Sequence, residues 1–305
     1  MDEKKECKLK KKPGRPRKKP LRPPVVRTGI SAAPKKEDNC VEFIYDEPMM
    51  FKKVFLLFKA MSAKELTITF DVDEIRITTI DHLKKSDILV TFDCSKMTHY
   101  YCSEKSVAVM NAQNIEKVNQ VLDKNHTMVT IVSKKQSIRS SLIFIFQNEM
   151  KIDEVREVKL IAPTMNNIIN MADFDGSQHN IMFEMPSKFF KKFMADSSTF
   201  SDTLTLQKIG IAGPLTFSYI SDDKMIKSQL IVKDESIIKL ESKIVDDEIF
   251  SASIKIDYVK PLASSLLADS ICIYADDSHK MIFVSHLDNN SITVKVASNI
   301  VQLAM

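Results

Sequence analysis

Pro48-Met-Met-Phe51-Lys52-Lys53-Val-Phe-Leu-Leu-Phe58-Lys59-Ala-Met61 has an echo later in the chain, Met185-Pro186-Ser187-Lys188-Phe189-Phe190-Lys191-Lys192-Phe193-Met194, and the lysine pairs lie 139 residues apart (192 less 53). In the first stretch Phe51, Val54, Phe55, Phe58 and Met61 recur at helical spacing, which leaves Lys52 and Lys59 together on the opposite side with Lys53 beside them. In the second, Lys188, Lys191 and Lys192 share a side opposite Phe189, Phe190 and Phe193. Each stretch follows a β-like run and precedes others, so one architectural unit is used twice.

Working outward, residues 41–45 read as a strand, and 66–70, 74–79 and 86–93 as a meander with polar turns between. A second helix is expected over 112–122, capped by Asn111, with Ile115, Val118, Val121 and Leu122 inward and Lys117 and Lys124 on one face. Runs 128–132, 142–146 and 155–161 complete the unit. The order then repeats: strand 180–184, a helix from a Ser187 cap to about Asp196, strands 204–208, 215–220, 225–232, 237–244 and 250–256. A helix from Tyr258 to Leu267 with Asp257 as its cap follows, and strands 271–274, 281–286 and 291–297 close the chain. Four segments result: a basic arm (1–40), a first domain (41–161), a connector (162–180) and a second domain with a short tail (181–305). The class is α+β.

With 305 residues, 44% of them hydrophobic, the chain can bury a substantial core. It shows neither an apolar run of transmembrane length nor the apolar segment of a secretory signal, so an intracellular protein away from membranes is expected. Five cysteines without a CxxC pair point to reduced thiols.

The net charge of +4 hides a division: residues 1–36 hold 14 Lys/Arg against Asp2, Glu3 and Glu6, a net of +11, which leaves −7 for the rest. Proline-rich and poor in apolar residues, the arm cannot bury enough surface to offset chain entropy. Its stretch Lys10-Lys11-Lys12-Pro13-Gly14-Arg15-Pro16-Arg17-Lys18-Lys19 resembles the AT-hook, an extended Gly-Arg-Pro strip that fits the narrow minor groove of A·T-rich DNA. Pro13 stands where the common form has arginine. A nuclear-import signal or an unspecific polybasic tail is the other reading, and both can hold.

The connector carries Met165, Ile168, Ile169, Met171 and Phe174 among Asn, Asp, Pro and Gly. These apolar side chains either bind partners or pin the linker to the body.

The helix starts at Met50-Phe51-Lys52-Lys53-Val54 and Met185-Pro186-Ser187, the stretch Thr98-His99-Tyr100-Tyr101-Cys102 and the Met110-Asn111 helix entry together resemble the sliding clamps of the proliferating cell nuclear antigen type, most closely those of large DNA viruses. The likeness spans residues 41 to about 300, and the arm lies outside it. The resemblance implies a DNA clamp fold of two repeated domains, each with two helices packed on antiparallel sheets. Three chains would form a ring whose helices line a hole threaded by duplex DNA.

Lys52, Lys53, Lys59, Lys117, Lys192 and Lys255 fall on clamp positions that face DNA; helical geometry adds Lys124, Lys188, Lys191 and Lys260. Ala195 and Gln120 stand where related clamps have basic residues. The plain alternative is that these lysines are the solvated side of amphipathic helices. In the family, DNA polymerase and other replication and repair proteins insert short peptides into an apolar pocket under the connector. That pocket would draw here on Ile80, His82, Ile168, Ile169, Met171, Val294 and Ala297. The homotrimer would close by strand addition, Val155, Arg156, Val158 and Leu160 of one chain meeting Met225, Ile226, Leu230 and Ile231 of the next.

No phosphate loop can be built from Gly14, Gly29, Gly176, Gly210 and Gly213. Cys94, His99 and Cys102 are one ligand short of a structural metal site, and the pairs Asp222-Asp223, Asp246-Asp247 and Asp276-Asp277 sit where turns need aspartate. No catalytic residues, metal or cofactor are therefore expected. The chain reads as a DNA polymerase processivity factor acting at a viral replication site in host cytoplasm or nucleus. The alternative is a clamp-fold protein that forms no ring, a processivity or late-transcription factor held on DNA by charge and the arm. An architectural protein would need only the arm.

Overall fold

The computed structural model describes residues 39–134, 140–162, 169–210, 212–220, 227–232, 239–246, 248–265, 268–276 and 280–301. The first half contains β1 (Asn39–Tyr45), α1 (Pro48–Ala60), β2 (Glu65–Phe70), β3 (Glu74–Ile80), β4 (Ser86–Asp93), β5 (His99–Cys102), β6 (Ser106–Asn111), α2 (Ala112–Val121), β7 (His126–Lys134), β8 (Ser141–Asn148) and β9 (Asp153–Lys159). The second contains β10 (Ile181–Pro186), α3 (Ser187–Phe200), β11 (Thr203–Ile209), β12 (Leu215–Ile220), β13 (Lys227–Val232), β14 (Lys239–Ser242), β15 (Ile249–Lys255), α4 (Ile256–Ser265), β16 (Ser270–Ala275), β17 (Lys280–Leu287) and β18 (Ile292–Asn299).

Three antiparallel sheets follow from these strands. One has five strands in the order β5-β1-β7-β8-β9, one has four in the order β13-β12-β11-β15, and one has nine in the order β14-β10-β16-β17-β18-β4-β3-β2-β6. The nine-stranded sheet is five strands of the second half joined to four of the first through β18 and β4, in the register Ile292↔Phe92 to Ser298↔Ser86. The remaining sheets are five strands of the first half and four of the second. Strand for strand, β7, β8 and β9 therefore correspond to β16, β17 and β18, and β4 corresponds to β13. The join made by β18 and β4 has no counterpart within the chain, because β9 and β13 are both sheet edges among the described residues.

Strand alternation and helix periodicity send their apolar sides into one core. It includes Phe43, Phe51, Phe55, Phe58, Phe144, Phe146, Phe183 and Phe190. Proline opens α1 at a position whose N–H would lack an intrahelical partner anyway, and Asn111 caps α2 by accepting a hydrogen bond from the Gln113 N–H. A second contact ties the halves. The buried Tyr45 hydroxyl donates to Asp288 Oδ2 at 2.7 Å, in a β17–β18 turn where Asp288, Asn289 and Asn290 all adopt positive φ, a conformation Asp and Asn tolerate better than most residues.

Several expectations need correction. β5 and β6 are both strands, where the sequence reading places no strand between 93 and 112. Ser187 is the first residue of α3 rather than its cap, and the helix runs on to Phe200. Asp257 lies inside the first turn of α4, which begins one residue earlier, and Pro261 is inside the helix. Lys124 stands in the turn after α2, so it shares no helix face with Lys117.

Candidate nucleic-acid interface and partner surface

The four helices form one layer, α1 packing beside α2 and α4, and α4 beside α3. Their apolar sides cover the sheets, which leaves the lysine sides outward. Lys53, Lys117, Lys188, Lys191, Lys192 and Lys260 are exposed, and none has a hydrogen bond or ion pair among the described residues. Three other lysines are engaged. Lys52 is half-buried and donates to the Leu122 carbonyl at the end of α2, Lys59 pairs with Glu116 across the α1–α2 joint, and Lys255 pairs with Asp202. Asp202 is held below the usual carboxylate range, first by its hydrogen bond from Lys255 and then by that from Thr203. The arm residues Lys11 to Lys19 lie outside the described residues.

On the opposite side of the nine-stranded sheet the connector turns through Met171–Phe174 and Gly176–Gln178. Phe174 is buried on Leu89, Ile282, Val284 and Ala297, with Ile169 packed against the same cluster. Three lysines hold this turn in place. Lys280 Nζ lies 2.5 Å from both Asp173 and Asp87, Lys295 donates to the Phe174 carbonyl at 3.2 Å, and Lys243 to the Ser177 carbonyl at 2.6 Å. Burial opposes the charge on Lys280, but its hydrogen bonds to Asp173 and Asp87 outweigh that and raise its pKa. Gly176 is required where it stands, since a Cβ there would come within 2.7 Å of the Tyr274 ring.

The expected pocket residues are thus only partly brought together. Ala297 lies under the connector and Ile169 of the connector packs against the same cluster, Ile80 is half-buried opposite Asp87 in the β3–β4 register, and Met171 points outward, 42% exposed. Val294 belongs to the inner core and contacts neither the connector nor the outer face. His82 lines a polar cleft with Lys59, Asn111 and Glu116 on another side. Ile168 lies outside the described residues. Lys280 and Lys295 are site residues that sequence reasoning misses, because no local pattern marks lysines whose partners are 107 and 121 positions away.

At the sheet edges, Val155 and Arg156 of β9 are exposed and Leu160 is half-buried, whereas Val158 is 3% exposed and belongs to the core. Alternation places its side chain under α2, so it is corrected from an interface residue to a packing residue. Leu230 and Ile231 lie on β13, and Met225 and Ile226 fall outside the described residues.

Burial pushes the Cys94 thiol up to about 12 and raises Cys102 as well. Among the described residues no group of three or more His, Cys, Asp or Glu is placed to hold a metal ion. No described helix is long and apolar enough to cross a membrane.

No family model matches the chain. It is 28% identical over 296 residues to an uncharacterized protein of African swine fever virus (strain Badajoz 1971 Vero-adapted), covering 94% of this chain and 97% of that protein. The same viral protein from a Malawi tick isolate matches to the same extent. Among solved structures, Proliferating Cellular Nuclear Antigen from Entamoeba histolytica aligns over 87% of this chain and 100% of its own, with a TM-score of 0.72 and 14% identity. Helices on one side of antiparallel sheets, in this order, are a sliding-clamp-like fold, and the chain's relatives are viral proteins.

Proposed function

We propose that this chain is a DNA sliding clamp: three copies close a ring around duplex DNA and tether replication and repair proteins to it without reading sequence. The observation that carries the reading is the unfinished sheet pattern. Within the chain, five strands and four strands join through β18 and β4, and among the described residues the equivalent edges β9 and β13 remain open. Joining β9 of one chain to β13 of the next repeats the join already made inside each chain and leaves neither edge exposed.

The helix layer supports the same reading. A surface with six exposed lysines free of partners among the described residues suits a polyanion. Flexible point charges attract phosphates without fixing a register on bases. The arm would add a second, groove-directed contact through Gly14-Arg15-Pro16. Clients would dock by short peptides on the outer surface near the connector. The role is one of binding and tethering rather than catalysis.

Mass in solution tests the ring: a stable trimer supports it, and a monomer at micromolar concentration would favour the clamp-fold reading without a ring. Retention on closed circular DNA, with release after linearisation, tests topological linkage. Deleting residues 1–36 is expected to weaken salt-sensitive binding and to leave the trimer intact.

A further inference from the structure

The outward rows of the three sheets differ in chemistry. Outward positions along the middle of the four strands β2, β3, β11 and β12 are polar: Thr67, Thr69, Arg76 and Thr78, then Thr205, Gln207, Thr216 and Ser218, and the apolar Ile80, Ile209 and Ile220 stand only at strand ends. Apolar outward rows occur in the five-stranded portions. In the second half the row Cys272–Val284–Lys295–Leu89 and its neighbour Tyr274–Ile282–Ala297–Asp87 lie beneath Ile169 and Phe174 of the connector.

The equivalent rows of the first half are Ile44–Thr130–Ile145–Val155 and Glu42–Val132–Ile143–Glu157, read across β1, β7, β8 and β9. Ile143 and Ile145 take the places of Ile282 and Val284. Ile44, Ile143 and Ile145 are half-buried and Val155 is 54% exposed. Thr130 and Val132, 9% and 7% exposed, form the floor of this face; none of these residues belongs to the core clusters, whereas Ile169 and Phe174 of the connector pack on their counterparts. Two carboxylates, Glu42 and Glu157, flank the second row.

We propose that this outer face is a docking groove for an extended peptide of a partner protein, carrying an aliphatic and an aromatic anchor a few residues apart and flanked by basic residues. The chain itself shows the mode of binding. Its connector lays Ile169 and Phe174, five positions apart, on the equivalent face. What changes is the charge. The connector's Asp173 answers Lys280, whose register equivalent on β8 is Ser141, while the first-half face offers Glu42 and Glu157. A basic flank fits there and an acidic one does not. The inference needs neither DNA nor the ring.

The test uses the full chain and a fluorescent synthetic peptide of residues 169–178 bearing Asp173→Lys and Asp175→Lys, followed by anisotropy. Saturable binding is expected. It should weaken at least about tenfold when the peptide carries Phe174→Ala, as for loss of a central anchor, and weaken again with the original aspartates. Ile143→Lys and Ile145→Lys in the protein should each abolish it while the thermal melt stays unchanged. Both side chains lie on the outward face, outside the core clusters, and outward polar residues are accommodated at Thr78 and Arg76, so the fold should survive both. Binding unaffected by either protein variant, or equal for the acidic and basic peptides, would overturn the proposal. So would binding that fades as protein concentration rises, which would mean that a second copy covers the face.

Discussion

Lys280 Nζ stands 2.5 Å from Asp87 on β4 and 2.5 Å from Asp173 in the connector, so one ammonium group joins both halves of the chain and the segment between them. All three side chains are largely shielded from solvent, and each carboxylate depends on that cation. Lys280→Met leaves two neighbouring carboxylates without it, at a cost of about 3 kcal/mol, the low end for breaking a buried pair. Urea unfolding should show the loss, and hydrogen exchange should quicken across residues 171–178. Because the folded pKa of Lys280 is raised, its contribution is complete below the usual lysine value and is lost only as pH rises through the folded one. The difference between wild type and variant should therefore be flat from pH 6 to about 9.

The engaged and free lysines should separate in a salt titration. If the helix layer meets DNA, replacing Lys188, Lys191 and Lys192 together by alanine should reduce the slope of log affinity against log salt by up to about 0.9 for each phosphate no longer neutralised. Lys52→Ala should change the slope less. It removes the donor to the Leu122 carbonyl and should lower stability by about 1 kcal/mol. Equal slopes for the triple variant and wild type would place the DNA-facing surface elsewhere.

The fold is legible in the sequence where period and burial agree. Phe51, Val54, Phe55 and Phe58 are all buried on α1, as their spacing requires. The ends of elements are less legible. Ser187 looks like a cap, but Pro186 already holds the chain extended and the helix starts at Ser187 itself. The candidate site divides in the same way. Exposed lysines follow from helix geometry, whereas Lys280 and Lys295, which help fasten the connector, act through partners more than a hundred residues away, beyond any local pattern. Val294 shows a third limit: strand alternation gives two faces, but sequence alone does not say which one meets the connector.

Cys94 and Cys102 should behave as packing residues. Burial sets the Cys94 thiol near 12, so at pH 8 the nucleophilic thiolate is scarce and alkylation should be far slower than for a free cysteine. Mass spectrometry after timed iodoacetamide treatment should find Cys94 unmodified until denaturant is added. Rapid labelling of Cys94 in the native protein, or stoichiometric zinc retained by the purified chain, would reverse the assignment.

Comparison of α1 with α3 points to the surface where copies would meet. Aligned on their lysine pairs, Leu57 corresponds to Asp196 and Met61 to Phe200. Leu57 and Met61 are buried, Leu57 where α1 meets α4, whereas Asp196 is exposed and Phe200 is 40% exposed, stacked on Tyr219. In a ring closed by β9 and β13, α3 would meet α2 of the next chain as α1 meets α4 within one. Phe200→Asp, combined with Arg156→Glu on β9, is then expected to shift sedimentation from trimer to monomer. The chain should keep its far-ultraviolet circular dichroism, because both side chains are exposed and lie outside the core. A trimer unaffected by this pair would mean that the copies do not meet through β9 and α3. A variant that loses its circular dichroism would show that Phe200 serves the fold of one chain, through Tyr219, before it serves assembly.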